Sequence, residues 1–267
     1  MAYYHFGQQE EAKQDFDIAI ERDPHDPTIY FNRGNVFLNW KDTRQFEQAH
    51  KDYDMALEIA PSNAKLWHSK GLAFQGQAES GDEQYIHKAI EMYRQAIQLQ
   101  EGFVSSRFHL GLMYHKLKRY QEAIKCFTKV IDKIKDDKTV YIARGIVYFD
   151  MGNYSLAIQD FTQAIHYDQA DPVGYFRRGF SLFYAKRYKD AMEDFVKANE
   201  YELDLYNEDP NIERNPGIHD GLGCCNHALG FFEQAIIHFD KALDMDPTNT
   251  EFLMHKAQCE YDQSNYE

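Results

Sequence analysis

Small and large apolar residues recur in a fixed register along most of this chain. Gly or Ala is followed twelve residues later by Ala, and that Ala is followed seven later by another small residue or Val. Large and small residues alternate at helical spacing around these positions, which predicts two antiparallel helices in each unit. Three adjacent units keep the frame at a period of 34 residues: Gly111/Ala123/Val130, Gly145/Ala157/Ala164 and Gly179/Ala191/Ala198. A fixed period of this length predicts an all-α solenoid, whose units bury their apolar faces by stacking on one another.

Positions within a unit are numbered from 1, so that Gly145 is position 8 of the unit that begins at Lys138. Small residues at positions 8 and 20 let the two helices approach closely, and large residues at 4, 11, 17 and 24 fill the space around the crossing. In this unit the large residues are Tyr141, Tyr148, Tyr154 and Phe161. The pattern resembles the tetratricopeptide repeat, a helix-turn-helix unit of about 34 residues. The resemblance implies a right-handed superhelix of antiparallel helix pairs.

The resemblance covers the whole chain and implies one array of six full and two partial repeats. We expect repeats near 1–26 (partial), 27–63, 64–103, 104–137, 138–171, 172–215, 216–249 and 250–267 (partial). Because the chain begins and ends inside a repeat, we expect it to be a segment of a longer array, or to have both ends covered by other material.

Helix-start signals agree with these boundaries at all but one repeat. An Asx residue precedes a proline at Asp26-Pro27, Asp171-Pro172 and Asn215-Pro216, which is the usual N-cap arrangement. Phe103 occupies the cap position of another repeat, which predicts a later helix start near Ser105. Polar insertions at 41–45, 76–84 and 206–215 are interpreted as neutral loops or, at the first two, as a secondary contact site.

Composition narrows the classes of partner. A net charge of -14 and a sequence pI near 5.3 argue against nucleic acid and against anionic membrane. No apolar run is long enough for a transmembrane helix, and the N-terminus does not resemble a signal peptide. The four cysteines are not in spaced pairs, as expected for free thiols in a reducing compartment. We therefore expect a cytoplasmic or otherwise intracellular protein, with the cytoskeleton or cilium as a more specific location.

Charged residues at positions 7 and 23 follow a pairing rule. Each arginine at position 7 is matched by an aspartate at position 23 of the same repeat, whereas neither repeat with Leu at position 7 has one. We predict three salt bridges within repeats: Arg33–Asp52, Arg144–Asp160 and Arg178–Asp194. The alternative is that the arginines extend along apolar surface to water.

The family resemblance implies a concave groove, lined by positions 2, 5, 6, 9, 12 and 13 of the first helices. The expected partner-binding residues are Phe31, Asn35, Leu72, Phe108, Leu112, Ile142, Ile146, Phe149, Phe176, Phe180, Phe183 and Tyr184. An apolar stripe of this size predicts an amphipathic helix or extended apolar segment of a partner. Alternatively, the stripe buries itself or is filled by a longer part of the same protein.

The repeat that begins at Pro216 is unusual because it carries Gly217, Gly221 and Gly223 in its first helix. These glycines indicate either close approach of a partner backbone or a soft joint. Cys224 and His227 lie one turn apart, but a structural zinc site needs four ligands and no second pair is visible, so neither a metal nor another cofactor is expected.

The sequence contains no phosphate-binding loop, nucleophile elbow or HExxH motif, so we expect no enzymatic activity within these residues. The preferred hypothesis is a protein-interaction scaffold that binds a partner in its groove. One alternative is a structural subunit of a cytoskeletal or ciliary assembly that also uses its loop edges. Another is the substrate-recognition arm of an enzyme whose catalytic domain lies outside this chain, an idea supported only by analogy of fold.

Overall fold

The computed structural model describes residues 8–40 and 45–266 of the chain, and this part is built from α-helices. The residues cluster into two compact units, Met1–Lys133 and Ile134–Glu267, which we call the N-terminal half and the C-terminal half. Each half is a stack of helix pairs and is described separately. The assignment of the whole chain to one continuous array stays a prediction.

In the N-terminal half, a single helix precedes three helix pairs. The helices are α1 (Gln8–Arg22), α2 (Pro27–Leu38), α3 (Phe46–Ile59), α4 (Ala64–Gln77), α5 (Glu83–Leu99), α6 (Val104–Lys116) and α7 (Tyr120–Ile131). Within this half each first helix packs on the second helix of its pair, and each second helix packs on the next first helix. This is the stacking that a solenoid requires.

The C-terminal half contains three helix pairs followed by a single helix. The helices are α8 (Lys138–Asp150), α9 (Tyr154–Tyr167), α10 (Pro172–Tyr184), α11 (Tyr188–Glu208), α12 (Pro216–Ala228), α13 (Phe232–Met245) and α14 (Thr250–Tyr266). Successive helices pack on one another as in the N-terminal half. None of the helices in the described residues combines the length and apolar character that a bilayer crossing needs.

The contact between positions 8 and 24 holds each helix pair together. A Cβ atom added to Gly145 would lie 2.7 Å from the ring of Phe161, and one added to Gly34 would lie 2.8 Å from the ring of Tyr53. The aromatic rings at position 24 are among the most buried side chains: Tyr53, Tyr93, Phe127, Phe161, Phe195 and Phe239. The small residue at position 8 is therefore required because an aromatic ring occupies the space of its side chain.

Local signals explain most helix ends. The side chains of Asp26, Asp171 and Asn215 accept hydrogen bonds from backbone N–H groups in the first turn of α2, α10 and α12. Gly152 and Gly230 end α8 and α12 with left-handed φ values of 74° and 82°, which glycine adopts without a steric penalty.

The start of α6 corrects one expectation. The helix begins at Val104 rather than near Ser105, although Phe103 makes no side-chain cap. The backbone N–H of Arg107 donates to the Phe103 carbonyl, and the Phe103 ring packs 5.0 Å from that of His68. The Phe103 ring is therefore held by packing on α4, and its side chain does not cap α6.

Two of the three insertions can be described, because residues 41–44 lie outside the described part of the chain. The insertion at 76–84 ends α4, forms a 3₁₀ turn at Ala78–Ser80 and reaches α5 through Gly81, whose φ is 89°. The insertion at 206–215 lengthens α11, and its return segment is fixed by the Glu202 carboxylate, which accepts a 2.8 Å hydrogen bond from the Asn215 N–H.

Candidate functional site

The structure brings together the charged pairs that the pairing rule names. Arg178 donates from Nε and Nη2 to the two carboxylate oxygens of Asp194, both at 2.7 Å. Arg144 makes the same two-point contact with Asp160 at 2.8 and 2.7 Å. The aspartate side chains are only 5% and 6% exposed, so these carboxylates depend on their arginine partners.

The third pair, Arg33 and Asp52, lies in the N-terminal half and has an additional partner. Arg33 donates to Asp52 at 2.8 and 2.5 Å and to Asp17, on the preceding helix α1, at 2.6 Å. Hydrogen bonding to Asp52 is the main factor that raises the pKa of Arg33.

A second pairing, which the sequence reasoning missed, joins position 7 to position 25 of the preceding repeat. Lys70 forms an ion pair with Asp54, and Lys256 forms one with Asp240 at 2.6 Å. The repeat of Lys70 has Met92 at position 23, and the partial repeat of Lys256 does not extend to that position, so the rule based on one repeat left both lysines unexplained. A comparison of position 7 with the repeat before it could have found both pairs.

Polar side chains on the first helices of the N-terminal half form hydrogen bonds with neighbouring helices. The Tyr53 hydroxyl donates to the Asn35 side-chain oxygen at 2.8 Å, and the Tyr93 hydroxyl donates to the Gln75 side-chain oxygen at the same distance. Gln75 also contacts Nδ1 of His109 at 3.0 Å. Asn35, expected to contact a partner, is thus engaged by a tyrosine of its own repeat.

Two histidines extend this network. The Nδ1 atom of His68 lies 3.0 Å from the Ser106 hydroxyl, and the His68 and His109 rings are 5.5 Å apart. Burial is the main cause that lowers the pKa of His68 to about 4, and it also lowers the pKa of His109. Both rings are therefore neutral at pH 7 and serve as polar packing groups.

The apolar groove residues predicted in the N-terminal half are half-buried: Phe31, Leu72, Phe108 and Leu112. Phe31 packs against Tyr53 with ring centroids 6.3 Å apart, and Phe108 packs against Phe127 at 5.6 Å. Part of each side chain therefore belongs to the core of its own repeat.

In the C-terminal half, the predicted groove residues are half-buried except Tyr184, which is 51% exposed. Phe176 and Phe180 pack edge-on against Phe195, at 6.3 and 5.0 Å between ring centroids. Ile142 and Ile146 are on α8, the first helix of this half.

Aromatic residues near the C-terminal ends of α8 and α10 form a second group on the first helices of this half. Tyr184 stacks on Tyr154 at 5.4 Å and contacts Phe149 edge-on at 5.4 Å. Phe183 packs at 5.6 Å from Tyr184. This group leaves aromatic surface open to solvent, whereas Phe176 and Phe180 are tied to the core through Phe195.

A cavity of about 540 Å³ opens beside these aromatic residues. It is lined by residues of α10, α12 and α14 and by Asn249, which precedes α14. These are first helices of their repeats, and we call the surface that they form in the C-terminal half the first-helix face. The lining residues are Phe180, Phe183, Tyr184, Gly217, Asp220, Cys224, His227, Ala228, Asn249, Glu251, Phe252, His255 and Gln258. The cavity is thus aromatic on one side and polar on the other.

Aromatic rings of the same half lie close to the glycines of α12, and the soft joint expected from these glycines stays a prediction. A Cβ atom at Gly221 would lie 2.6 Å from the ring of Phe195, and one at Gly217 would lie 3.3 Å from the ring of Phe176. Gly223 faces Phe239 at 2.5 Å, as position 8 does in the other repeats. Aromatic rings of this half therefore occupy the space at Gly221, which leaves no room there for a partner backbone.

Three potential ligand side chains converge at the polar side of the cavity. Nδ1 of His255 lies 2.9 Å from Oδ1 of Asp220 and 3.5 Å from Sγ of Cys224. The Cys224 sulfur lies 3.9 Å from Oδ2 of Asp220. Burial, assisted by the Asp220 carboxylate, raises the pKa of Cys224, and the hydrogen bond to Asp220 raises the pKa of His255.

This cluster differs from a catalytic Cys-His-Asp triad. In such a triad the thiol and the carboxylate contact different nitrogens of the imidazole. Here Cys224 and Asp220 both contact the Nδ1 atom of His255. The raised pKa also keeps the thiol protonated, which makes it a poor nucleophile.

Sequence reasoning missed this cluster because its third member lies in the next repeat. The histidines considered with Cys224 have other contacts: His227 binds Asp262 at 2.9 Å, and His219 stacks on His238 at 5.7 Å. His255 is position 6 of its repeat, a groove position that could have been tabulated against positions 5 and 9 of the repeat before it.

A second concave surface lies away from the first helices. It has a volume of about 540 Å³ and is bordered by α11 and by the connection between α12 and α13. Phe231 and Val196 contribute to it and are 52% and 44% exposed. We call this the α11 surface.

Sequence models described as tetratricopeptide repeat match residues 104–137, 142–201 and 228–267. No curated protein matches the chain.

Several solved structures share the fold at low sequence identity. One chain of the APC/C hetero-tetramer Cut9-Hcn1 is 15% identical, with a TM-score of 0.66 over 95% of this chain and 46% of that chain. The C-terminal part of a TPR repeat-containing protein from Cytophaga hutchinsonii is 16% identical, with a TM-score of 0.71 over 93% and 94%. YrrB, a TPR protein with an unusual peptide-binding site, is 20% identical, with a TM-score of 0.57 over 74% and 98%. This chain spans less than half of the APC/C chain, and identities this low show the fold alone.

Proposed function

We propose that this chain, which belongs to the tetratricopeptide repeat family, binds a partner polypeptide on the first-helix face of its C-terminal half. Proteins with this fold are typically non-catalytic scaffolds for protein interaction, and the proposed role is of that kind. The partner inserts apolar side chains of a helix or an extended segment into the cavity beside Phe183 and Tyr184.

The concave, partly aromatic lining of this cavity is the observation that best supports the proposed binding. Tyr184 is 51% exposed and lies next to Phe183 and Phe180 in a concave surface of about 540 Å³. Aromatic residues in a concave site are the usual anchors of protein interfaces, because they bury a large area at a small cost in side-chain entropy. The other predicted groove residues of the C-terminal half, Ile142, Ile146, Phe149 and Phe176, belong to this proposal as contacts of lesser weight.

The charge of the lining constrains the partner further. Glu251 and Asp220 contribute carboxylates, and none of the described lining residues is Lys or Arg. A segment that combines an aromatic or aliphatic anchor with a nearby basic residue matches both sides of the cavity. Partners of strongly acidic character are disfavoured, since the whole chain carries a net charge of -14.

The α11 surface supports a second candidate function. The exposed Phe231 and Val196 form apolar surface on the side of the second helices. A structural subunit of a cytoskeletal, ciliary or other large intracellular assembly contacts neighbours on more than one side, and this surface is where such a neighbour binds. No described feature favours the enzyme-arm alternative.

A peptide-display selection tests the first proposal. A random library is selected on the full chain, and the selected peptides are measured against Phe183→Ser/Tyr184→Ser and the matched control Phe231→Ser/Val196→Ser. We expect the first variant to weaken binding by roughly 30-fold or more, the loss typical of interface anchors, and the control to bind like the parent. Peptides that lose affinity only with the control variant contradict the proposal and support the α11 surface.

A further inference from the structure

We infer that Asp220, Cys224 and His255 form a binding site for a divalent transition-metal ion, with zinc as the best match. The three ligand atoms lie within 4.8 Å of one another and belong to two helices that pack together, α12 and α14. The three residues line the same cavity as the proposed partner site, but metal binding can be measured without any partner.

The spacing of the ligand atoms is close to that of one face of a tetrahedron. Typical zinc bond lengths of about 2.3 Å to sulfur and about 2.0–2.2 Å to nitrogen and oxygen require ligand atoms about 3.4–3.6 Å apart. Sγ of Cys224 lies 3.5 Å from Nδ1 of His255 and 3.9 Å from Oδ2 of Asp220, and Nδ1 of His255 lies 2.9 Å from Oδ1 of Asp220. One oxygen of Asp220 must serve both partners, and one atom from each of the three residues already lies within 4.8 Å of the others. A rotation of the Asp220 side chain that moves this oxygen by about 1 Å brings the three atoms to zinc spacing.

The backbone holds two of the ligands in place. Asp220 and Cys224 are four residues apart on α12, so their side chains lie on the same side of one helix turn. The His255 ring packs on Phe239, with centroids 6.1 Å apart. A site on packed helices keeps its geometry better than one on a loop.

The ligand types indicate the metal. One thiolate, one imidazole and one carboxylate form a mixed sulfur, nitrogen and oxygen set, which zinc accepts and which magnesium and calcium do not favour. Binding releases the thiol proton to solvent and requires a neutral imidazole. The thiolate and the Asp220 carboxylate then balance the two charges of the ion, which makes its burial electrostatically acceptable.

The environment of Asp220 is a second observation that favours an ion. The residue is 4% exposed. Its Oδ2 atom accepts a weak hydrogen bond from the Cys224 thiol, with the sulfur 3.9 Å away. A buried carboxylate that has only a weak thiol donor on one oxygen would gain more from a cation. All three ligands line the cavity, so a fourth coordination position is open to water or to another ligand from solvent.

Cobalt titration of the full chain tests the inference. Co²⁺ is added to reduced, chelator-treated protein, and the thiolate-to-cobalt charge-transfer band is followed. We expect one equivalent to saturate the band and Zn²⁺ to abolish it. Cys224→Ser should remove the band, and His255→Asn and Asp220→Asn should weaken affinity by more than about 100-fold, since loss of a mere supporting hydrogen bond already costs 10- to 100-fold.

Two controls separate the site from general effects. Cys126→Ser removes a buried thiol in the N-terminal half, and His227→Asn removes the histidine one turn from Cys224, so both variants should bind cobalt like the parent. If the band is absent from the parent, or persists in Cys224→Ser, the inference is wrong.

A measurement on the unaltered chain covers the case in which a ligand variant fails to fold. Cys224 is the only cysteine in the described residues that is partly exposed, because Cys126, Cys225 and Cys259 are buried. Stoichiometric Zn²⁺ should slow alkylation of Cys224 by at least about tenfold, as mass spectrometry of the labelled peptide would measure. Equal labelling with and without Zn²⁺ overturns the inference.

Discussion

The two halves share the same helix-pair geometry but differ in the side chains that their first helices expose. In the first two helix pairs of the N-terminal half, position 24 is a tyrosine whose hydroxyl group donates to Asn35 or Gln75. The third pair has Phe127 at this position, and the C-terminal half has Phe161, Phe195 or Phe239, all without a hydroxyl group. The faces of α2 and α4 therefore pair polar groups within their own repeats, whereas the C-terminal face offers aromatic surface to a partner.

The difference follows from a few residues on an otherwise constant frame. The glycine at position 8 meets a ring in both halves, at 2.6 Å for Gly71 and Tyr93 and at 2.9 Å for Gly179 and Phe195. A tyrosine at position 24 is stable only where a polar side chain on the first helix accepts a hydrogen bond from its hydroxyl, because an unpaired buried hydroxyl is costly. Hydrogen bonds within a repeat thus decide which polar side chains of the first helix remain available to bind a partner.

The largest expected effect concerns the buried salt bridges. Asp194→Ala should lower the free energy of unfolding by about 3–5 kcal/mol, because Arg178 would remain partly buried without its carboxylate. Asp52→Ala should cost at least about 1 kcal/mol less, since Asp17 still neutralises Arg33. Urea denaturation measures both values. Equal losses would show that Asp17 contributes nothing, and a negligible loss at Asp194 would show that the pair is not a stabilising element.

A reciprocal exchange at position 24 tests the polar network directly. Phe161→Tyr should cost about 1–3 kcal/mol, because Ile146 and Phe149 stand where the N-terminal half has its hydroxyl acceptors. Tyr93→Phe should cost about 1 kcal/mol through loss of the bond to Gln75. Thermal unfolding of both variants measures the effects, and a stabilising Phe161→Tyr would contradict the contrast between the halves.

A pH dependence of the free energy of unfolding arises from His68 in the N-terminal half. The pKa of His68 is about 4 in the folded chain against an ordinary value of 6.5, so between these pH values the unfolded chain binds more protons. Stability from this group is complete above about pH 6.5 and falls by about 1.4 kcal/mol for each pH unit as the pH drops toward 4.

The variant His68→Asn keeps a hydrogen-bonding side chain next to Ser106 but does not titrate, so it should show a flatter stability profile between pH 6.5 and 4.5. His87, an exposed histidine in α5, provides a matched control, since His87→Asn should leave the profile unchanged. Parallel profiles for the parent and His68→Asn would refute the assignment.

The sequence predicted contacts that form within a single repeat, and it missed contacts that join one repeat to the next. The position 8 and 24 crossing and the ion pair of Arg144 with Asp160 could be read from one repeat, because both contacts form between the two antiparallel helices of that repeat. The Lys70–Asp54 pair and the His255 ligand depend on how one repeat stacks on the next.

The candidate surface was harder to predict than the fold. Position alone assigned Asn35 and Phe176 to a groove, but their exposure depends on side chains of other helices, such as Tyr53 and Phe195. Gly221 was ambiguous for the same reason, because the sequence does not show which ring fills the space above a glycine.

Site-specific photocrosslinking tests most directly whether the C-terminal first-helix face binds a polypeptide. Benzoylphenylalanine is placed at Tyr184, at Asn39, which occupies the same repeat position in the N-terminal half, and at Phe231 on the α11 surface. All three positions are exposed, so reactivity alone does not distinguish them. Our account predicts a discrete polypeptide adduct at position 184 in cells and none at position 39. Adducts at position 39 or 231 with none at position 184 would contradict it.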